Sequence, residues 1–297
     1  MAKVTTDDGV QLYVEETGSG VPLVFVHEFG GDYRSLEPQV RCFARRYRCI
    51  TYNARGFPPS DVDERPQSYS QERALRDLVN VMDALAIERD NIVGISMGSF
   101  TVIHLALRHP ERVSSMVIAA CGYGAEPDKN AAFREQVVAG ADLIRDKGMA
   151  QFAEAYSKAP TRVQLKNKDP RAFADFKAQL TARAVRGAEL TMRGVQFERQ
   201  PFDAEFTRAL ARIAIPTLVV TGDEDEPTLQ PSLFLKRTIK TADLAVLPGT
   251  GHTLNLEEPE AFNRLLDDFL HQVLAGRWRA RDPRAMQTSM LGVERAR

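Results

Sequence analysis

The chain reads as an α/β protein, with a mostly parallel, doubly wound sheet that carries one inserted helical segment. Three observations predict this. Short apolar runs bounded by turn residues alternate with helix-period segments from Val10 to Ala119. The alternation stops at Gly122, and a long, charged stretch of helix formers takes over. Strand-like runs then resume at Ile215. Strands that alternate with helices build βαβ units and hence a parallel sheet with helices on both faces.

The elements follow in order. Val10 to Glu16 alternates as a strand, and Gly18-Ser19-Gly20 turns the chain. Pro22 to His27 is a short apolar run suited to a strand buried on both faces. Leu36, Val40 and Phe43 recur at helical spacing, and Tyr47 to Tyr52 is a second buried strand. Ser70 can cap a helix whose face is Leu75, Leu78, Val79, Met82 and Leu85. Asn91 to Ile95 is a third strand, Phe100 to Leu107 an almost wholly apolar helix ended by His109-Pro110, and Val113 to Ala119 a further strand. No strand stands out between Glu126 and Arg212. Strands return at Ile215 to Val220 and Leu244 to Leu247, and a last amphipathic helix carries Phe262, Leu265, Leu266, Phe269 and Val273. The expected division is a core of residues 1–122 and 213–275, a helical cap at 123–212 and an arginine-rich tail at 276–297, mobile or lying on the surface.

Composition narrows the function classes. The chain has 297 residues and a formal net charge of −1, which points to neither nucleic acid nor an acidic membrane surface. No run approaches the roughly 18 apolar residues of a membrane span, and the N-terminus has no apolar stretch for a signal peptide. Cys42, Cys49 and Cys121 are too few and too scattered for a disulfide framework or a zinc site. The expectation is a cytoplasmic protein without metal or organic cofactor.

Gly94-Ile95-Ser96-Met97-Gly98 matches G-x-S-x-G between a strand and a helix, the context that gives the motif its chemistry. A sharp strand-to-helix turn lifts the serine hydroxyl above the sheet, and the crowded backbone leaves no room for side chains at the flanking glycines. The helix N-terminus behind it favours developing negative charge. A serine needs a base. Of the five histidines, His104, His109 and His271 belong to helices or their ends and His27 ends a buried strand. His252 instead lies in the loop Pro248-Gly249-Thr250-Gly251-His252 after the last strand. Loops at the carboxyl ends of parallel strands gather active-site residues. The base in turn needs an acid. Gly222-Asp223-Glu224-Asp225 follows a strand and offers two aspartates, either of which could equally serve as a turn or N-cap residue.

Taken with Val26-His27-Glu28-Phe29-Gly30-Gly31, Asn53-Ala54-Arg55-Gly56, Thr221 to Asp225, and Gly249 to His252 followed by Glu257-Glu258-Pro259, these motifs make the chain resemble the α/β-hydrolase superfamily. The resemblance covers about residues 4 to 275 and lies with cap-bearing esterases, lactonases and cofactor-free perhydrolases. It implies Asp225 as the acid, because the acid usually falls three residues after the glycine of that turn. It also implies an oxyanion hole formed by the backbone N–H groups of Phe29 and Met97. The implied reaction is acyl transfer from a small or medium carboxylic ester or lactone to water, with Ser96 as nucleophile, His252 as general base and Asp225 holding the histidine. The same triad could serve perhydrolysis, thioester hydrolysis or C–C bond cleavage, and a non-catalytic small-molecule receptor is the alternative from another class. The expected partner is a small ester-like substrate, and the sequence leaves a homodimer open. Phe133, Phe152, Tyr156 and Phe197 could line an apolar pocket, although packing of the cap onto the sheet would also use them.

Two positions depart from the resemblance. Glu28 stands where relatives usually have glycine, and Asn53 where they often have aspartate. A carboxylate at Glu28 aimed into the oxyanion hole would oppose the charge that develops there. The expectation is therefore a Glu28–Arg55 ion pair at the mouth of the site, bracing the oxyanion loop; the alternatives are a solvated surface glutamate and a Glu28 that enters the pocket to select a cationic or hydrogen-bond-donating substrate.

Overall fold

The computed structural model describes residues 2–286. Its centre is an eight-stranded sheet: β1 (Ala2–Thr5), β2 (Gln11–Thr17), β3 (Val21–Val26), β4 (Tyr47–Tyr52), β5 (Asp90–Ile95), β6 (Val113–Ala119), β7 (Thr217–Gly222) and β8 (Ala242–Leu247). The strands lie in the order β1-β2-β4-β3-β5-β6-β7-β8. The β1–β2 and β2–β4 pairs are antiparallel, and every pair from β4 to β8 is parallel. The sheet is the one the alternation predicts. The sequence reading missed β1, a four-residue edge strand too short to show a period.

The apolar runs are continuous because both faces of the sheet are covered. In β3, Val24 and Val26 join a core with Leu78 and Phe100, under α2 (Gln71–Ala84) and α3 (Met97–Arg108). Leu23 and Phe25 of the same strand point the other way, into a core with Phe43 of α1 (Glu37–Phe43) and Phe262 and Leu266 of the C-terminal helix Pro259–Leu274. Successive strand side chains alternate between faces, so burying both leaves no polar positions. Ser70 caps α2 by accepting the Arg73 N–H at 2.9 Å.

Between β6 and β7 the described residues form helices only. They are α4 (Asn130–Ser157), broken at Gly148, whose φ is 79°, then a 3-10 turn at Pro160–Arg162, α5 (Val163–Lys168), α6 (Pro170–Thr181), α7 (Val185–Leu190), a π-helical turn at Thr191–Gln196, and α8 (Ala204–Leu210). A third apolar cluster joins them to the sheet: Phe133, Phe152, Phe176 and Met192 of this segment pack with Phe29, Phe57 and Met97. A further helix, α9 (Glu226–Thr238), follows β7 and was not foreseen. Its interior Pro231 and low proportion of large apolar residues hide the helical period.

Trp278 packs edge-on to Phe269 at 4.6 Å between ring centroids and donates Nε1–H to the Thr241 carbonyl at 2.8 Å, so this stretch is docked on the sheet's far edge. The rest of the predicted tail, residues 287–297, lies outside the described residues. Among the described residues no helix is long and apolar enough to cross a membrane.

Candidate active site

Four loops at the carboxyl ends of the parallel strands converge. Ser96 follows β5, Glu28 and Phe29 follow β3, Asp225 follows β7 and His252 follows β8. Ser96 occupies the strained turn its motif requires, with φ 52° and ψ −108°. A Cβ at Gly94 would come within 2.7 Å of the Gly98 carbonyl and Ser99 backbone, and one at Gly98 within 2.2 Å of the Val26 carbonyl. Both glycines are therefore steric necessities of this turn. The Ser96 N–H donates to the Ala119 carbonyl at 2.8 Å, tying the turn to β6.

His252 Nε2 lies 2.9 Å from Ser96 Oγ, and its Nδ1 lies 2.7 Å from Asp225 Oδ2. The same carboxylate oxygen accepts Thr228 Oγ1–H at 2.6 Å. Asp225 is wholly buried. Burial pushes its carboxyl up, but the charge and hydrogen bond of His252 and the Thr228 bond outweigh that, holding it below its ordinary value. Asp223, the other aspartate of the turn, accepts the Thr250 N–H at 3.1 Å and braces the histidine loop. That loop has a second brace. Glu257 accepts the N–H groups of Gly251 at 2.5 Å and Thr253 at 3.1 Å.

The loop after β3 is built differently from the expected arrangement. Glu28 and Arg55 are both buried but do not meet. Arg55 turns toward α2 and the N-terminal loop, where it forms a fork with Asp77 at 2.7 and 2.8 Å and a second pair with Asp8 at 2.9 Å. Glu28 pairs instead with Arg162, in the loop between α4 and α5, at 3.0 and 2.6 Å. Each buried ion thus has its own counter-ion, which a single Glu28–Arg55 bridge would not have provided for Arg162, Asp77 and Asp8. Burial pushes Glu28 up, but Arg162 more than offsets this and keeps the carboxyl below its ordinary value. Glu28 Oε2 lies 4.0 Å from His252 Nε2, so this neutralisation occurs beside the reacting atoms.

A third arginine completes the loop. Arg183 is buried and donates to the carbonyls of Phe29 and, at 2.5 Å, Gly31. Its guanidinium stacks on Phe57 at 4.4 Å from the ring centroid. His27 links the loop to its neighbour. Its Nε2 lies 3.1 Å from the Ala54 N–H and its Nδ1 lies 2.8 Å from the Glu28 carbonyl, so Nδ1 carries the proton. Burial holds that imidazole down at about 4, so it is neutral. Asn53 accepts the Tyr33 N–H through Oδ1 and donates through Nδ2 to the Phe57 and Pro58 carbonyls. Aspartate has no N–H for those two carbonyls, which accounts for the departure at this position. Neither the Phe29 nor the Met97 backbone N–H has an acceptor among the described residues.

These groups open on a cavity of about 500 Å³. Ser96, His252 and Phe29 form its floor, and Phe133, Phe152, Tyr156, Arg162 and Arg199 of the inserted segment line it. Phe197 does not. It lies under the Arg134 guanidinium, at 5.0 Å from the ring centroid, on the segment's other side. Sequence reasoning missed Thr228, Arg162, Arg183 and Arg199. Only Thr228 carried a local signal, three residues after Asp225 in the same turn.

The fold and this cluster define an α/β-hydrolase-fold enzyme. The family model for the alpha/beta hydrolase fold matches residues 21–259, and the chain belongs to that family. It is 28% identical over 276 residues to 3-oxoadipate enol-lactonase 1 of Acinetobacter baylyi, covering 91% of this chain and 97% of that protein. It is 29% identical over 283 residues to a 2-hydroxy-6-oxononadienedioate/2-hydroxy-6-oxononatrienedioate hydrolase of Paraburkholderia xenovorans, covering 89% and 92%. The solved structure of Est816, described as an N-acyl homoserine lactone degrading enzyme, superposes with a TM-score of 0.73 at 29% identity, covering 90% of this chain and all of that one.

Proposed function

We propose that the protein is a serine hydrolase that cleaves a small or medium carboxylic ester or lactone through an acyl-enzyme. The observation that carries this is the continuous relay Ser96 Oγ–His252 Nε2, His252 Nδ1–Asp225 Oδ2, opening on a cavity floored by Ser96. The lactone-cleaving relatives support the substrate class.

In this reading Ser96 Oγ attacks the carbonyl carbon as its proton passes to His252 Nε2. The carbonyl oxygen becomes an oxyanion and accepts the free Phe29 and Met97 N–H groups, at the N-terminus of α3. Collapse breaks the bond to the leaving oxygen, which takes the proton from His252. Water then attacks the acyl-enzyme by the same route in reverse. Asp225 fixes the tautomer and stabilises the imidazolium. Residues 123–212 act as the cap, since they supply one wall of the cavity. A reducing, cytoplasmic setting belongs to the same proposal, supported by three unpaired cysteines.

A panel of p-nitrophenyl esters of increasing acyl length, run beside lactones and thioesters, tests the reading. Wild type is expected to turn over esters, and Ser96→Ala to lose roughly a million-fold in kcat while melting normally. Near wild-type hydrolysis by Ser96→Ala would remove the assignment.

A further inference from the structure

We propose that Arg199 forms an anion subsite in the Ser96 cavity, and that the preferred substrate is an ester or lactone carrying a carboxylate remote from its scissile carbonyl. The inference rests on the serine-hydrolase reading above and adds the chemistry of the far end of the substrate.

The other buried arginines around the site each have partners that take up their charge. Arg55 is held by Asp77 and Asp8, and Arg162 by Glu28. Arg183 spends its charge on two carbonyls of the oxyanion loop. Arg199 differs from all three. It is 5% exposed, lines the cavity and has no carboxylate partner among the described residues. Nη1 donates to the Tyr123 carbonyl at 2.6 Å and Nη2 to Gln196 Oε1. A guanidinium has five N–H donors. The remaining three have no acceptor among the described residues.

The guanidinium is also fixed in place. It lies 4.6 Å from the Phe100 ring centroid and 4.7 Å from that of Phe133, so the fork cannot swing freely out to water. Burial pushes Arg199 down to about 10, which leaves it charged at neutral pH. A buried cation without a counter-ion is costly, and the aromatic faces offset only part of that cost. The lining has two acids, Glu224 and Glu226, and both are exposed at the mouth, with Glu224 taken up by Gln164. A ligand carboxylate would supply the missing charge and accept the free N–H groups, as arginine forks do. Val137, Phe152 and Met192 line the same cavity and suit the methylene chain joining that carboxylate to the scissile group.

The test compares two esters of equal chain length, the p-nitrophenyl monoester of glutaric acid and p-nitrophenyl valerate. Wild type is expected to favour the anionic ester in kcat/KM by about tenfold or more, the scale of one charge-assisted hydrogen bond. Arg199→Met should bring the ratio near unity, and Arg199→Lys should keep part of it. A wild-type ratio at or below unity overturns the subsite, and so does an unchanged ratio in Arg199→Met. The wild-type ratio stands even if a variant fails to fold. Turnover of valerate with no anionic preference removes the subsite and leaves the hydrolase reading intact. If neither ester is cleaved, the hydrolase reading is decided by the lactones and thioesters of the panel. The subsite is then decided by titrating Ser96→Ala protein with monomethyl glutarate and methyl valerate, where equal binding overturns it.

Discussion

The two arms that meet at Ser96 are held in opposite ways. The acid–base arm is local. Asp225, Thr228, His252 and Glu257 come from the two segments that follow β7 and β8, and they bond to one another or to the histidine loop itself. The inserted segment meets this arm at its margins: the His252 N–H donates to the Thr161 carbonyl at 3.0 Å, Lys168 donates to Thr250 Oγ1 at 3.4 Å, and Gln164 donates to Glu224. The oxyanion arm is held from far away. Glu28 is neutralised by a residue 134 positions later, and Phe29 accepts from one 154 positions later. Both partners belong to the inserted segment. The contrast teaches that the Asp225–His252 pair is fixed chiefly by core residues, whereas the loop proposed to stabilise negative charge takes its ion pair and its guanidinium bonds from the inserted segment.

Four substitutions probe that contrast, beginning with the largest effect. Asp225→Asn should reduce ester kcat by about 10⁴-fold, by favouring the wrong imidazole tautomer, with little change in the melting temperature. Steady-state kinetics on any accepted ester reads it. Arg162→Met should cost about 3–5 kcal/mol of stability, because it strands Glu28 as a buried, unpaired charge. Denaturant titration reads this, and adding Glu28→Gln should restore part of the loss. The pH dependence has a defined sign. Glu28 is held below its ordinary value of 4.5, so the pair's contribution is full above about 4.5 and is lost as pH falls through the lower folded value. Wild type and Arg162→Met should therefore converge in stability in strong acid.

Arg183→Met releases the Phe29 and Gly31 carbonyls and lets the oxyanion loop shift. The expected loss is about 10²-fold in kcat with KM nearly unchanged, the signature of an interaction made in the transition state. An equal rise in KM would mean that Arg183 shapes the cavity rather than the loop. Asp223→Asn is the smallest. Its partner is the Thr250 N–H, which an amide oxygen also accepts, so kcat should stay within a few-fold of wild type. A loss as large as that of Asp225→Asn would exchange the roles assigned to the two aspartates.

The same division explains what could be read from the sequence. The sheet was legible because both faces are buried, so strands such as Pro22 to His27 are unbroken apolar runs. Ser96 and His252 were legible because each sits in a short glycine-bearing loop after a strand, where local spacing alone constrains the backbone. Choosing Asp225 over Asp223 took the family resemblance, since both lie in one turn and differ only in the direction of a side chain. The partner of Glu28 was not legible. The sequence required only that a carboxylate there be turned away or neutralised, and the choice among arginines depends on tertiary docking. Arg55, the nearest by family layout, was already committed to Asp77 and Asp8. Arg162 sits in a short loop with no motif around it, and only the packing of the segment brings it to Glu28.

The central claim is that Ser96 is the activated nucleophile of this cavity. A p-nitrophenyl phosphonate ester tests it most directly, followed by intact-mass and peptide mass spectrometry. The expected result is a single stoichiometric adduct on the peptide holding Ser96, with hydrolytic activity lost in proportion and labelling greatly slowed in Asp225→Asn. An adduct on any other residue, or full ester hydrolysis by protein labelled at Ser96, would contradict the account.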